Sequence, residues 1–245
     1  MPELSVPEGL PPGRLPGLWG GTGAYPWPAS LLVWIRLTAR LGAIDAKSSS
    51  MDSLKSEIAA TAARMVVEEG LEYGPAKRRA IKQMGLGNRA ALPDNDLLED
   101  AVREYIALFC ADSQPHELAA LRSLALTWME RLAQFRPHLG GAVWHGTATR
   151  LSDIYIQLFC DDPKSTEIAL VEHGVVYEAR TVSGWNGDPV DALSLSSVSP
   201  ILREPIGVHL MVYDHDDVRG ALRPDGRGRS PRGDLAAVRA LVGGG

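Results

Sequence analysis

The hydrophobic period changes partway along the chain. From residue 52 to about residue 138, apolar positions recur every three or four residues, as on one face of a helix; beyond that, they mostly alternate. In the first half, Leu54, Ile58, Ala62, Met65 and Val66 form a helical stripe, and Gly70 suits its stop. PAKRRAIKQM (75–84) opens on a first-turn proline and ends before Gly85, which predicts a second, basic helix. ALPDND predicts a turn, with Asp94 or Asn95 capping a third helix that runs to about Cys110. SQPHELAALRSLALTWMERLAQF is the clearest helix. It has Pro115 near its start and Leu118, Leu121, Leu124, Ala125, Trp128 and Leu132 along one stripe, and Pro137 closes it.

After Pro137, GGAVWHG reads as a short strand. DIYIQLF alternates, with Ile154, Ile156 and Leu158 on one face and Asp153, Tyr155, Gln157 and Phe159 on the other. PKSTEIALVEHG predicts a helix ended by Gly174, and VVYEARTV, VDALSLSSV and IGVHLMVY predict three strands. DLAAVRALV predicts a closing helix capped by Asp234. The expected fold class is α+β: a helical region over 51–138, then a mixed sheet with helices packed on it over 139–245. YIALFCAD and YIQLFCDD look alike, but their flanks differ, so they are read as coincidence and not as a repeat.

The first fifty residues follow neither period. They hold seven of the seventeen prolines, and LPPGRLPGLWGGTGAYPWP suits neither a helix nor a central strand. Met51 is therefore expected as the natural start, with residues 1–50 a misassigned upstream translation or a disordered arm; a partner-binding tail with exposed tryptophans is the alternative.

Composition narrows the function classes. A net charge of −5 gives no global field favouring nucleic acid. Two cysteines, Cys110 and Cys160, make neither a disulfide framework nor a zinc pattern, and the six histidines lack metal spacing. The sparse cysteines fit a reducing cytoplasm, and no apolar run approaches a membrane span, so no membrane partner is expected. There is no P-loop, no G-x-S-x-G elbow and no dinucleotide fingerprint.

The stretch that carries candidate chemistry is HGTATRLSDIYIQLF, residues 145–159. It places a Gly146-Thr147 turn, a polar connector with Ser152, and then Asp153 and Tyr155 on one face of a strand. Preceded by a long helix and a strand, this arrangement resembles the nucleotidyltransferase superfamily of the DNA polymerase beta type. The family pattern is a Gly-Ser or Gly-Gly turn followed, after roughly ten residues, by Asp-x-Asp on the next strand; a third carboxylate lies on a later strand.

The resemblance covers about residues 115–182. It implies nucleotide binding by Gly146, Thr147, Ser152 and Tyr155, and Asp153 as a ligand of Mg²⁺. Glu178, or by a weaker fit Asp214, would be the third carboxylate. Tyr155 stands where the second carboxylate belongs, and a phenol is neutral at pH 7. The expected function is thus a degenerate nucleotidyltransferase-like protein, a pseudoenzyme that binds a nucleoside triphosphate weakly with little or no two-metal transfer. The alternatives are an active nucleotidyltransferase with an altered metal-ligand set and a non-catalytic helical interaction or regulatory module.

Three further features are weighed against plainer readings. Lys77, Arg78, Arg79 and Lys82 could meet RNA or an acidic protein, although a solvated helix face is the simpler reading. RGALRPDGRGRSPRGDL could be a phosphate-binding loop; a solvated loop balanced by YDHDD is preferred. Trp144 and His145 could touch a base, but packing roles fit them better.

Overall fold

The computed structural model describes residues 51–87 and 90–244, so the expectation for residues 1–50 lies outside the described residues. Helix α1 runs through residues 51–69 and ends at Gly70, whose φ of +68° is in the left-handed region. Helix α2 spans Tyr73–Gln83, and α3 spans Asn95–Phe109. The Asp94 carboxylate caps α3 by accepting from the Leu97 N–H at 2.7 Å. Ile58, Ala62, Met65 and Val66 pack with Ala80, Leu98 and Val102 into one apolar cluster shared by these three helices.

Helix α4 (Gln114–Arg131) belongs to a different core. Its Leu121, Leu124, Ala125 and Trp128 pack on Ile154, Ile156 and Leu158 and on the inner residues of the neighbouring strands. The change of core therefore falls between Phe109 and Gln114, ahead of the change in hydrophobic period.

After α4 the order is β1 (His138–Gly140), α5 (Gly141–His145), β2 (Ile154–Cys160), α6 (Pro163–Glu172), β3 (Glu178–Ser183), β4 (Pro189–Val198), β5 (Pro205–Asp214), α7 (Val218–Ala221), β6 (Gly233–Asp234) and α8 (Leu235–Gly243). The six strands form one mixed sheet in the order β3-β4-β5-β2-β1-β6. Only β2 and β5 run parallel; the other neighbours are antiparallel. The fold is thus α+β with a mixed sheet, as the alternation implied.

GGAVWHG departs from its expected strand. Only Gly140 ends a strand; Gly141 takes a φ of +64° and starts the single-turn helix α5, which closes at Gly146 with φ +83°. Two glycines able to reverse the chain outweigh the β preference of Val143 and Trp144.

The two cores are joined by charge. Glu99 of α3 is 4% exposed. It accepts hydrogen bonds from Arg103 at 2.7 Å, from His145 of α5 at 2.9 Å and from Arg229 at 2.8 Å. Burial pushes its carboxyl up, but the Arg103 and His145 hydrogen bonds and the Arg229 charge outweigh that and leave it below the usual range. Arg227 adds a bidentate pair to Asp100 at 2.8 and 2.7 Å. The arginine-rich loop is therefore docked on α3 and is not balanced by the YDHDD segment.

Glu99→Gln should lower stability by about 2 kcal/mol, the loss expected for hydrogen bonds to a charged group, read by urea denaturation at pH 7. A depressed folded-state pKa stabilises above the unfolded carboxyl pKa and is lost as pH falls through the folded value. The gap between natural and variant chains should therefore narrow in acid.

Candidate functional site

The sheet face away from α4 carries a polar row set by strand register. Glu178 of β3 lies opposite Ser194 of β4, Ser194 opposite His209 of β5, His209 beside Tyr155 of β2, and Tyr155 opposite Gly140 of β1. Asp153 immediately precedes β2 and shares the Tyr155 face, since its carboxylate meets His209.

Asp153 Oδ2 lies 3.2 Å from His209 Nε2, and His209 Nδ1 lies 2.8 Å from Ser194 Oγ. The His209 hydrogen bond holds the Asp153 carboxyl below the usual range against the opposing effect of burial, and the nearby Gly207 backbone acts in the same direction. When the ring is neutral, an Nε2 proton directed at the Asp153 carboxylate leaves Nδ1 to accept from the Ser194 hydroxyl. Gly207 leaves the room this requires: a Cβ there would stand 2.4 Å from Asp153 Oδ1. The Tyr155 ring stacks on His209 at 4.8 Å between centroids.

Tyr155 also reaches off the sheet. Its phenol donates to Glu72, in the connector between α1 and α2. Burial, then this bond to a carboxylate, pushes the Tyr155 phenol well above the ordinary tyrosine range. Between the connector and the sheet lies a pocket of about 210 Å³ lined by Glu72, Tyr73, Gly141, Ser152, Asp153 and Tyr155, among others. Gly70 holds the connector against the Ser152 turn, since a Cβ there would stand 2.8 Å from the Leu151 carbonyl oxygen.

The structure brings together Ser152, Asp153 and Tyr155 of the expected site. Ser152 Oγ accepts from the Thr149 N–H at 3.0 Å, which tightens the turn before the strand. Gly146 and Thr147 do not line the pocket. Thr147 is 2% exposed, and the carbonyls of Gly146 and Ala148 both accept from the buried Gln114 amide, at 3.1 and 2.8 Å.

Glu178 shares the row but stands three strands from Tyr155, about 14 Å at ordinary strand spacing. It is exposed and pairs with Arg180 at 2.8 Å. Asp214 ends β5 at the far edge of the parallel ladder and accepts from the Asp216 N–H at 2.9 Å. Trp144 donates to the Ser230 carbonyl at 2.8 Å, and His145 serves Glu99.

Sequence reasoning missed Glu72, Ser194, His209 and the Gly140-Gly141 pair. Alternation in IGVHLMVY puts His209 and Gly207 on one face, but nothing local states that β5 lies beside β2. Gly140-Gly141 precedes Asp153 at a spacing compatible with the family pattern, and only the position of Gly141 in the pocket separates it from Gly146-Thr147.

The basic stretch of α2 is also changed by the structure. Lys77 is buried and donates to the Pro93 carbonyl at 2.9 Å and to Asn95 Oδ1 at 2.7 Å; burial lowers its pKa. Arg79 pairs with Glu69. Arg78 and Lys82 are exposed.

The residues around Asp153 do not fit a two-ion centre. One Asp153 oxygen is engaged by His209, and Glu72 is engaged by Tyr155. Among the described residues, no group of three or more His, Cys, Asp and Glu side chains is placed to hold a metal ion. The arrangement can instead accept hydrogen bonds from a donor-rich ligand and polarise the Ser194 hydroxyl. No protein-family model, curated protein or solved structure matches the chain. Among the described residues, no helix is long and apolar enough to cross a membrane.

His209→Ala should raise the Asp153 carboxyl pKa towards the ordinary aspartate range, read by carboxyl NMR titration. Because the natural pKa is depressed, its stabilising effect is present near neutrality and is lost as pH falls through the folded Asp153 pKa. The stability gap between natural and His209→Ala chains should shrink over that fall.

Proposed function

We propose that the chain is a degenerate nucleotidyltransferase-like protein that binds a nucleoside triphosphate weakly and transfers little or no nucleotide. The supporting observation is that Gly141, at the start of α5, and Asp153, just before the following strand, line one pocket and follow the long helix α4 in chain order. That order of helix, strand, Gly-Gly turn and strand-borne aspartate is the pattern the sequence resembles. The turn that answers to it in this reading is Gly140-Gly141, and Gly146-Thr147 serves as a structural bend. A glycine backbone there leaves room for a ligand to approach.

The charges of the pocket favour the nucleoside end. Its two charged lining groups, Glu72 and Asp153, are carboxylates that accept hydrogen bonds from ribose hydroxyls or base amino groups. Tyr73 and Tyr155 supply aromatic surface. Phosphates sit poorly against two carboxylates and face solvent. Tyr155 supplies no second metal carboxylate, and the His209 bond competes for Asp153, so the transfer chemistry of the family lacks its ligands.

Calorimetric titration with ATP in the presence of Mg²⁺ tests the reading. Weak binding is expected, at least tenfold weaker in Asp153→Ala, with negligible pyrophosphate release. Tyr155→Asp restores paired carboxylates and should tighten Mg²⁺ or Mn²⁺ binding. Robust Mg²⁺-dependent transfer by the natural chain, abolished by Asp153→Ala, would establish an active enzyme with an altered ligand set. Nucleotide binding indifferent to both substitutions would remove the site.

A further inference from the structure

Among the described residues, strand β3 is an end of the sheet and pairs only with β4, and all six of its residues are exposed. The opposite end, β6, has two residues and is too short to template another strand. β3 contains neither proline nor lysine, two residues that commonly keep a second strand from adding to an edge.

Its charges are self-complementary. Glu178 and Arg180 lie two residues apart on the same face. A two-fold axis through Ala179 sets two copies of β3 antiparallel, and each Glu178 then stands opposite Arg180 of the other copy. Carried past the start of β3 into the preceding residues, the same register sets Tyr177 opposite Thr181. It also sets Val176, which is 90% exposed, opposite Val182, which is 36% exposed. The apolar surface extends to α6: Tyr177 bonds Glu167 at 3.1 Å, and Val171, one turn further along that helix, is 65% exposed. Charge, apolar matching and open backbone groups thus agree on one register.

We propose that a second copy of this chain pairs antiparallel along β3 about Ala179, joining two sheets into one across a two-fold interface. Glu178, set apart from the pocket by β4 and β5, acts in this contact together with Arg180.

Sedimentation equilibrium over a concentration series tests the contact. The natural chain should approach twice the chain mass. Glu178→Arg and Arg180→Glu each place like charges opposite one another twice per dimer and should weaken association about tenfold. An equimolar mixture of the two variants makes every cross-axis pair opposite in sign again and should restore association. That rescue separates charge repulsion from misfolding. A natural chain that stays monomeric throughout overturns the proposal. So do single variants that associate as tightly as the natural chain, or a mixture no tighter than its components.

Discussion

Glu99 is the constraint on which the assembly of this protein turns. The helices α1 to α3 close their own apolar cluster, and α4 closes another with the sheet. Apolar packing within each cluster does not specify how one meets the other. A buried carboxylate does, because it is costly unless donors surround it, and its donors come from α3 itself, from α5 and from the arginine-rich loop. Satisfying one group therefore fixes three segments together. The Glu72 to Tyr155 bond and the close approach of Gly70 to Leu151 complete the same seam.

The candidate pocket opens along that seam, and its electrostatics follow from strand order. Because β5 runs parallel beside β2, His209 falls in register with Tyr155 and within reach of Asp153. An aspartate so paired stays ionised and oriented, but it is no longer an uncommitted ligand. Tyr155 is neutral and half-buried, and its proton is held by a second carboxylate. The backbone geometry of a pocket and its chemistry are separable: glycines and strand register set the first, while side-chain pairing determines the second.

Local signals in the sequence carried far. The apolar stripes of α1 and α4, the caps Asp94 and Asp234, the stop at Gly70 and the alternation of β2, β4 and β5 depend on residues within a few positions of one another. Asp153, Tyr155 and Ser152 were legible for the same reason, since alternation alone puts the first two on one face. The one local misreading, GGAVWHG, turned on Gly141, where two backbone conformations compete within five residues.

Everything that depends on distant partners was decided by tertiary structure. Lys77 reads as part of a basic surface until Pro93 and Asn95 enclose its ammonium. Glu178 reads as a third carboxylate until β4 and β5 stand between it and Tyr155. Thr147 reads as a ligand-facing hydroxyl until Gln114 draws the carbonyls on either side of it inward. The sequence by itself determined the α+β class and which residues share a strand face, because hydrophobic period acts over neighbouring residues. Only the folded chain decided which strands are neighbours, which charges are paired and which glycine meets the pocket. Many of those pairings join residues more than 100 positions apart, as in Arg227–Asp100 and Arg229–Glu99, and no local pattern encodes them.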